Sequence, residues 1–125
     1  MKEKFRRCWA LVLAFVIVTG VCFMFAGRKS GMFIDEIYAY GLSNSHYAPF
    51  LTDIKDGEMV GKIFTRQELF DYVAVNDGEG FDVGSVYYNQ VHDVHPPLHY
   101  WLLNAVCSLF PGTFSKWTGL ALNYV

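Results

Sequence analysis

Cysteine is scarce in this chain. It has three cysteines in 125 residues, and no two of them have the C-x-x-C spacing. A disulfide framework or a zinc ribbon needs paired, closely spaced cysteines, so the sequence indicates neither. It also lacks internal repeats and low-complexity stretches. The three thiols lie in or beside apolar segments, at Cys8, Cys22 and Cys107, and we expect them to act as small apolar side chains.

Basic residues are scarce between Ser30 and His95. This segment contains eleven carboxylates but only three basic residues, Lys55, Lys62 and Arg66. Nucleic acids and anionic lipid headgroups bind to positively charged surfaces. We therefore expect no nucleic-acid partner. The formal net charge of −2 hides this asymmetry between segments.

Apolar residues are abundant, at 53 %, and aromatic residues make up 18 %. One uncharged run extends from Cys8 to Ala26. At ~1.5 Å per residue it would be about 28 Å long as a helix, close to the hydrocarbon thickness of a bilayer. We predict a retained transmembrane helix over residues 8–27. A cleaved signal peptide is the alternative, but the run is longer than a usual signal core and no small-x-small cleavage site follows it.

The charges beside this run predict its orientation. Four basic residues precede it and two follow it, and the more basic side usually stays in the cytoplasm. We predict a cytoplasmic N-terminus at residues 1–7 and an external loop at 28–95, in the cytoplasmic (plasma) membrane.

A second apolar run, "PPLHYWLLNAVCSLF", predicts another transmembrane helix at 96–110. "PGTFSK" predicts a cytoplasmic turn at 111–116. "WTGLALNYV" predicts the start of a third span at 117–125, truncated by the end of the sequence. The expected fold is therefore a fragment of an all-α integral membrane protein, a multi-span bundle of transmembrane helices.

Shorter elements are predicted inside the external loop. "FIDEIYAYGL" has apolar residues at helical spacing, which favours a short interfacial helix. Thr65 and Glu68 match a capping box, which predicts a second amphipathic interfacial helix over about 66–75. "FDVGSVYYNQVHDV" has β-branched and aromatic residues, so we predict an extended segment there.

Three histidines, His92, His95 and His99, are spaced three and four residues apart, which is metal-ligand spacing on a continuous helix. Pro96 and Pro97 oppose that geometry, because proline disfavours helical backbone in the residue before it and is accepted in the first helical turn. We predict a helix that begins at about Pro97. A single histidine joined to a carboxylate is then a better hypothesis than a three-histidine site. His95 could also contact a phosphate at the helix N-terminus, or simply be solvated.

Asp35 and Glu36 form an acidic pair after the first helix. Adjacent carboxylates point in different directions on a helix, so the pair is not expected to share a proton. A solvated pair is the common arrangement. Apolar neighbours on both sides instead favour a carboxylate that acts as a base.

Taken together, "FIDEIYAYGLSNS" and "DVHPPLHYWLL" resemble the acidic first-loop motif and the His-Pro-Pro-Leu segment of the GT-C integral-membrane glycosyltransferases. The likeness is to the protein O-mannosyltransferase and aminoarabinose-transferase group, glycosyltransferase family 39. The resemblance implies a bundle of many transmembrane helices with its active site at the outer face. It also implies transfer of a sugar from a polyprenyl-phosphate donor to an acceptor hydroxyl.

The resemblance also implies roles for individual residues. Asp35 would be the general base, and Glu36 would position the acceptor or hold a divalent metal ion. His95, Pro96 and Pro97 would shape the substrate site near the donor phosphate, and the candidate metal ligands are Glu36 and His95. The histidine after HPPL replaces a more usual aromatic residue and receives no role.

Two other functions stay open. The chain could be a non-catalytic truncated membrane protein, or a small partner of a larger membrane complex. It could also be a membrane sensor that binds metal through His92, His95 and the carboxylates.

Overall fold

Six α-helices make up the regular structure of the part of the chain that the computed structural model describes, residues 2–51 and 63–123. They are α1 (Lys2–Arg28), α2 (Ile34–Asn44), α3 (Arg66–Val73), α4 (Val83–Gln90), α5 (Pro97–Cys107) and α6 (Lys116–Leu122). These residues contain no β-strand, so the predicted all-α class is confirmed. The chain divides into two compact units, Met1–Gly31 and Met32–Val125.

The first unit contains α1. Its segment Arg6–Arg28 has a mean hydropathy of 2.5 and is the one helix among the described residues that is long and apolar enough to cross a membrane. The predicted span at 8–27 lies inside it. Length and composition support a membrane association, and they are shared by an anchor and by a signal sequence near the N-terminus. Orientation and further spans stay predictions.

In the second unit, α2 packs against α3, α4 and α5, and α5 also packs against α4 and α6. The main buried cluster consists of Tyr40, Tyr72, Val73, Val75, Leu103 and Cys107. A smaller cluster joins Leu42 on α2, Val86 on α4 and Tyr100 on α5. Burial of a large apolar side chain contributes about 2 kcal/mol, so these clusters hold α5 against α2 along its length.

Helix α3 has the capping box that the sequence predicts. The Thr65 N–H donates to Glu68 Oε2 at 2.7 Å, and the Glu68 N–H donates to Thr65 Oγ1 at 3.2 Å. The predicted end at about residue 75 is two residues late, because Ala74 takes extended backbone. Ala74 and Val75 are instead fully buried beyond the helix.

The prediction of an extended segment before the histidines is wrong, because residues Val83–Gln90 form α4. Asp82 starts this helix, since its Oδ1 accepts a hydrogen bond from the Ser85 N–H at 2.9 Å. Buried contacts of Ser85, Val86 and Asn89 then favour the helix over the β-propensity of the local sequence.

Helix α5 begins at Pro97, as predicted, with Pro96 as its N-cap. It contains 11 residues and is therefore about 16 Å long, about half the thickness of a bilayer core. The second and third transmembrane helices predicted at 96–110 and 117–125 stay predictions.

Buried asparagines hold the C-terminal end of α2. Asn89 of α4 donates to the carbonyls of Leu42 and Ser45, at 3.2 and 2.8 Å. Asn104 of α5 donates to the Ser43 carbonyl at 2.8 Å. The last carbonyls of a helix have no partner within it, so these side chains satisfy them. They also fix α2 against α4 and α5, the elements that position the candidate site.

Candidate functional site

A cavity of about 340 Å³ connects the start of α2 with the segment between α4 and α5. The described residues that line it are Asp35, Tyr38, Ala39, Leu42, Phe50, Asp93, His95 and Tyr100. Two of the predicted site residues, Asp35 and His95, therefore meet at one cavity although they are far apart in the sequence.

Asp35 lies in the first turn of α2, and its side chain is exposed. The preceding Phe33 and Ile34 are also exposed, at 66 % and 50 %. The apolar enclosure that the sequence suggested for this carboxylate is therefore not formed by these neighbours. The Asp35 carboxylate is instead exposed at the edge of the cavity.

Glu36 does not line the cavity among the described residues. Its Oε2 accepts a hydrogen bond from the Phe33 N–H at 2.8 Å. This bond satisfies one of the free N–H groups that a helix leaves at its start, and the negative charge is favourable there. The two adjacent carboxylates thus diverge as helical geometry predicts, and Glu36 holds the turn from which Asp35 projects.

His95 is paired with a carboxylate that the sequence analysis did not single out. Its Nδ1 lies 2.9 Å from Asp93 Oδ2. The Tyr100 hydroxyl donates to the same Oδ2 at 3.3 Å. The His95 side chain is 63 % exposed and the Asp93 side chain 16 %. The imidazole of the pair is therefore largely exposed to solvent, whereas the carboxylate is largely buried.

The surroundings of Asp93 favour its ionised form. Burial raises the pKa of its carboxyl, but hydrogen bonds from His95, the Val94 N–H and the Tyr100 hydroxyl, together with the electrostatic attraction of His95, outweigh burial and hold the pKa below its ordinary value. The sequence "DVHPP" places an aspartate two residues before a histidine, and this spacing could have indicated the pair. Its partner Tyr100 comes from α5, and only the fold reveals that contact.

The two prolines act on the backbone. Pro96 has extended backbone, with φ −63° and ψ 138°, and Pro97 is the first residue of α5. Neither lines the cavity among the described residues. Because proline fixes its φ angle, the two prolines set the direction of the backbone between His95 and the start of α5. Direct substrate contact, which the resemblance implies for them, stays a prediction.

The described residues contain no group of three or more histidine, cysteine, aspartate or glutamate side chains that could hold a metal ion. His92 follows α4 in a turn, not in the predicted extended approach, and its Nδ1 lies 2.9 Å from the Tyr88 carbonyl oxygen. Glu36 and His95, the candidate metal ligands, have other partners, Phe33 and Asp93.

No family model matches the chain, and neither a curated protein nor a solved structure matches it significantly. The likeness to the GT-C glycosyltransferases therefore depends on the two motifs alone.

A second cavity, of about 450 Å³, lies elsewhere in the same unit. Its described lining is apolar apart from one arginine: Met32, Ile37, Arg66, Leu69, Phe70, Val73 and Phe114. None of the predicted site residues borders it. Asp35 and His95 border the smaller cavity instead.

The smaller cavity has a size within the range of small-molecule sites. Asp35 offers an accessible carboxylate, and His95 offers an imidazole fixed by an ionised aspartate. Both groups can accept a proton or a hydrogen bond. The arrangement suits a ligand that carries hydroxyl groups.

Proposed function

We propose that this chain belongs to a membrane glycosyltransferase of the GT-C type, in the group of glycosyltransferase family 39. The enzyme would transfer a sugar from a polyprenyl-phosphate donor to an acceptor hydroxyl at the outer face of the membrane. The observation that carries this proposal is the meeting of Asp35 and His95, one from each motif, at a single cavity.

Asp35 is the general base of the proposed reaction. It takes the proton of the acceptor hydroxyl while the hydroxyl oxygen attacks the anomeric carbon of the sugar. The bond between that carbon and the phosphate oxygen breaks, and the lipid phosphate leaves with the electron pair. A base must lie within hydrogen-bond reach of the attacking hydroxyl, and the exposed position of Asp35 permits this.

The membrane arrangement is part of the proposal. With α1 as the first span and a cytoplasmic N-terminus, α2 to α4 and the segment before Pro96 would lie at the outer face, and α5 would form part of the predicted second span. The lipid donor would reach the cavity from the bilayer, and membrane lipid would contact α1. The donor phosphate needs positive partners, which basic side chains or helix N-termini supply.

Asp35→Asn tests the proposal. Membranes that carry the full reading frame are assayed for sugar transfer from labelled polyprenyl-phosphate donors. Loss of a general base lowers the rate by about 100-fold or more, whereas the protein level should not change. Asp77→Asn is the matched control, because Asp77 is exposed and does not border the cavity. Transfer by Asp35→Asn at the wild-type rate would sink the catalytic assignment.

The alternative is a non-catalytic membrane protein that docks to a larger complex. The exposed apolar side chains before and along α5 favour it: Val94 is 91 % exposed, Leu98 63 % and Leu102 49 %. Such surfaces commonly mark contact sites. No sugar transfer by membranes that carry the wild-type protein would favour this function.

A further inference from the structure

Asp93 accepts hydrogen bonds from two side chains at the edge of the cavity. Its Oδ2 lies 2.9 Å from His95 Nδ1 and 3.3 Å from the Tyr100 hydroxyl. An ionised carboxylate accepts hydrogen bonds and cannot donate them. The contact therefore requires the proton of the His95 ring to be on Nδ1.

The position of that proton decides what His95 can do. A neutral imidazole carries one N–H and one unprotonated nitrogen, and the partner of the first determines the identity of the second. With the proton on Nδ1, the His95 Nε2 has a free lone pair. His95 lines the cavity and its side chain is 63 % exposed, so Nε2 is the ring nitrogen available to a ligand.

We propose that Asp93 is a positioning residue that fixes His95 in the Nδ1–H form, so that Nε2 accepts a hydrogen bond from a substrate hydroxyl. The identity of that hydroxyl, on the sugar or on the acceptor, rests on the proposed function. The fixed tautomer does not rest on it.

This role differs from the phosphate contact that the resemblance implies for His95. An unprotonated Nε2 has no hydrogen to donate to a phosphate oxygen. Asp35 and Asp93 also place two carboxylates at the same cavity, which disfavours an anion there and favours hydroxyl donors. The phosphate of the donor would then lie outside this pocket, with its sugar inside.

Tyr100 keeps Asp93 in place. It is 8 % exposed and belongs to the buried cluster with Leu42 and Val86. The packing of its ring therefore fixes the position of its hydroxyl group. The hydrogen bonds that join Tyr100 to Asp93 and Asp93 to His95 therefore extend from the core to the cavity.

Nitrogen NMR of the whole chain in detergent micelles tests the tautomer directly. With ¹⁵N-labelled histidine rings, a protonated and an unprotonated ring nitrogen resonate far apart. At a pH where the imidazoles are neutral, wild type should have the His95 proton on Nδ1. Asp93→Ala removes the acceptor, so a mixture that includes the Nε2–H form should appear.

His92 is an internal control in the same spectrum. Its Nδ1 faces the Tyr88 carbonyl at 2.9 Å, and that carbonyl also only accepts. The His92 signal should therefore report the Nδ1–H form in wild type and in Asp93→Ala alike, which shows that α4 remains folded. If His95 carries its proton on Nε2 in wild type, or if Asp93→Ala leaves the His95 signals unchanged, the proposal is overturned.

Sugar transfer gives the second measurement. Asp93→Ala should lower transfer about tenfold through the lost orientation of His95, whereas His92→Ala should not change it. A shifted tautomer with unchanged transfer would overturn the substrate contact of Nε2. A shifted tautomer in Asp93→Ala, with no sugar transfer by wild type, would support the positioning role and refute the glycosyltransferase function, so the two failures are distinguishable.

Discussion

Asp93 and Glu36 show how two carboxylates near this site differ in their hydrogen-bond partners. The role that the resemblance implies for Glu36, positioning the acceptor or holding a metal ion, stays a prediction; in the structure its carboxylate accepts a hydrogen bond from the Phe33 N–H. Asp93 was not singled out, yet it holds His95. The sequence indicated Asp35 and His95 through motifs. It could not indicate the partner of each, because a side-chain hydrogen bond depends on a rotamer and on a neighbour that only the fold supplies.

A pH dependence of stability follows from Asp93. Its folded pKa lies below the ordinary value of 3.8, so the ionised form stabilises the fold. This contribution is complete about one pH unit above the unfolded pKa and is lost as the pH falls through the lower folded pKa. The difference in unfolding free energy between wild type and Asp93→Asn should therefore be largest near neutral pH and shrink in acid. Denaturant unfolding in micelles at several pH values measures it.

The control for this prediction is Asp77→Asn, which changes an exposed carboxylate in a turn. Because this side chain is exposed, its substitution should change the unfolding free energy little. A constant difference for Asp93→Asn across the acid range would contradict the prediction.

The elements differ in how far the sequence predicts them. The start of α3 was predictable because a capping box is local, and so was the start of α5, because proline restricts its own backbone and that of its neighbour. The helix α4 was not predictable from the same kind of signal. Its aromatic and β-branched residues favour a strand, and the contacts of Asn89 with α2 overrule them.

The packing of α2 on α3 depends on a glycine. A Cβ at Gly41 would overlap the ring of Tyr72. The ring cannot move away easily, because the Tyr72 hydroxyl donates to the Pro49 carbonyl at 2.8 Å and the residue is 4 % exposed. Gly41→Ala should therefore destabilise the fold by about 2 kcal/mol, in spite of the better helix propensity of alanine.

Thermal unfolding followed by circular dichroism measures this loss. Gly31→Ala is the matched control, since a Cβ there would have no neighbour within 4 Å. An unfolding midpoint for Gly41→Ala at or above that of wild type would show that the two helices can separate without cost.

At the scale of the whole molecule, the helical class and the apolar helix near the N-terminus were predictable, because both follow from composition and the length of one run. The number of membrane spans was harder to predict from the sequence. Helix α5 is apolar, yet it has 11 residues and buries Asn104 against α2. Hydropathy alone does not distinguish such a helix from a membrane span.

The predicted topology can be tested by cysteine labelling. Native cysteines are replaced, and single cysteines are introduced by Val94→Cys in the 91 % exposed position before the prolines and by Lys4→Cys before α1. A reagent that cannot cross membranes should label position 94 in intact cells and position 4 only after permeabilisation. The reverse pattern would place the cavity in the cytoplasm and exclude an outer-face enzyme.

The buried asparagines have a consequence for biosynthesis. The carbonyls at the end of α2 receive their hydrogen bonds from side chains that are 44 to 61 residues further along the chain. A chain that emerges from the ribosome in order must therefore wait for Asn104 before the end of α2 is fully satisfied. Closing such loops costs entropy and slows folding. The cavity can form only late in synthesis, so a nascent chain arrested before α5 has no assembled site.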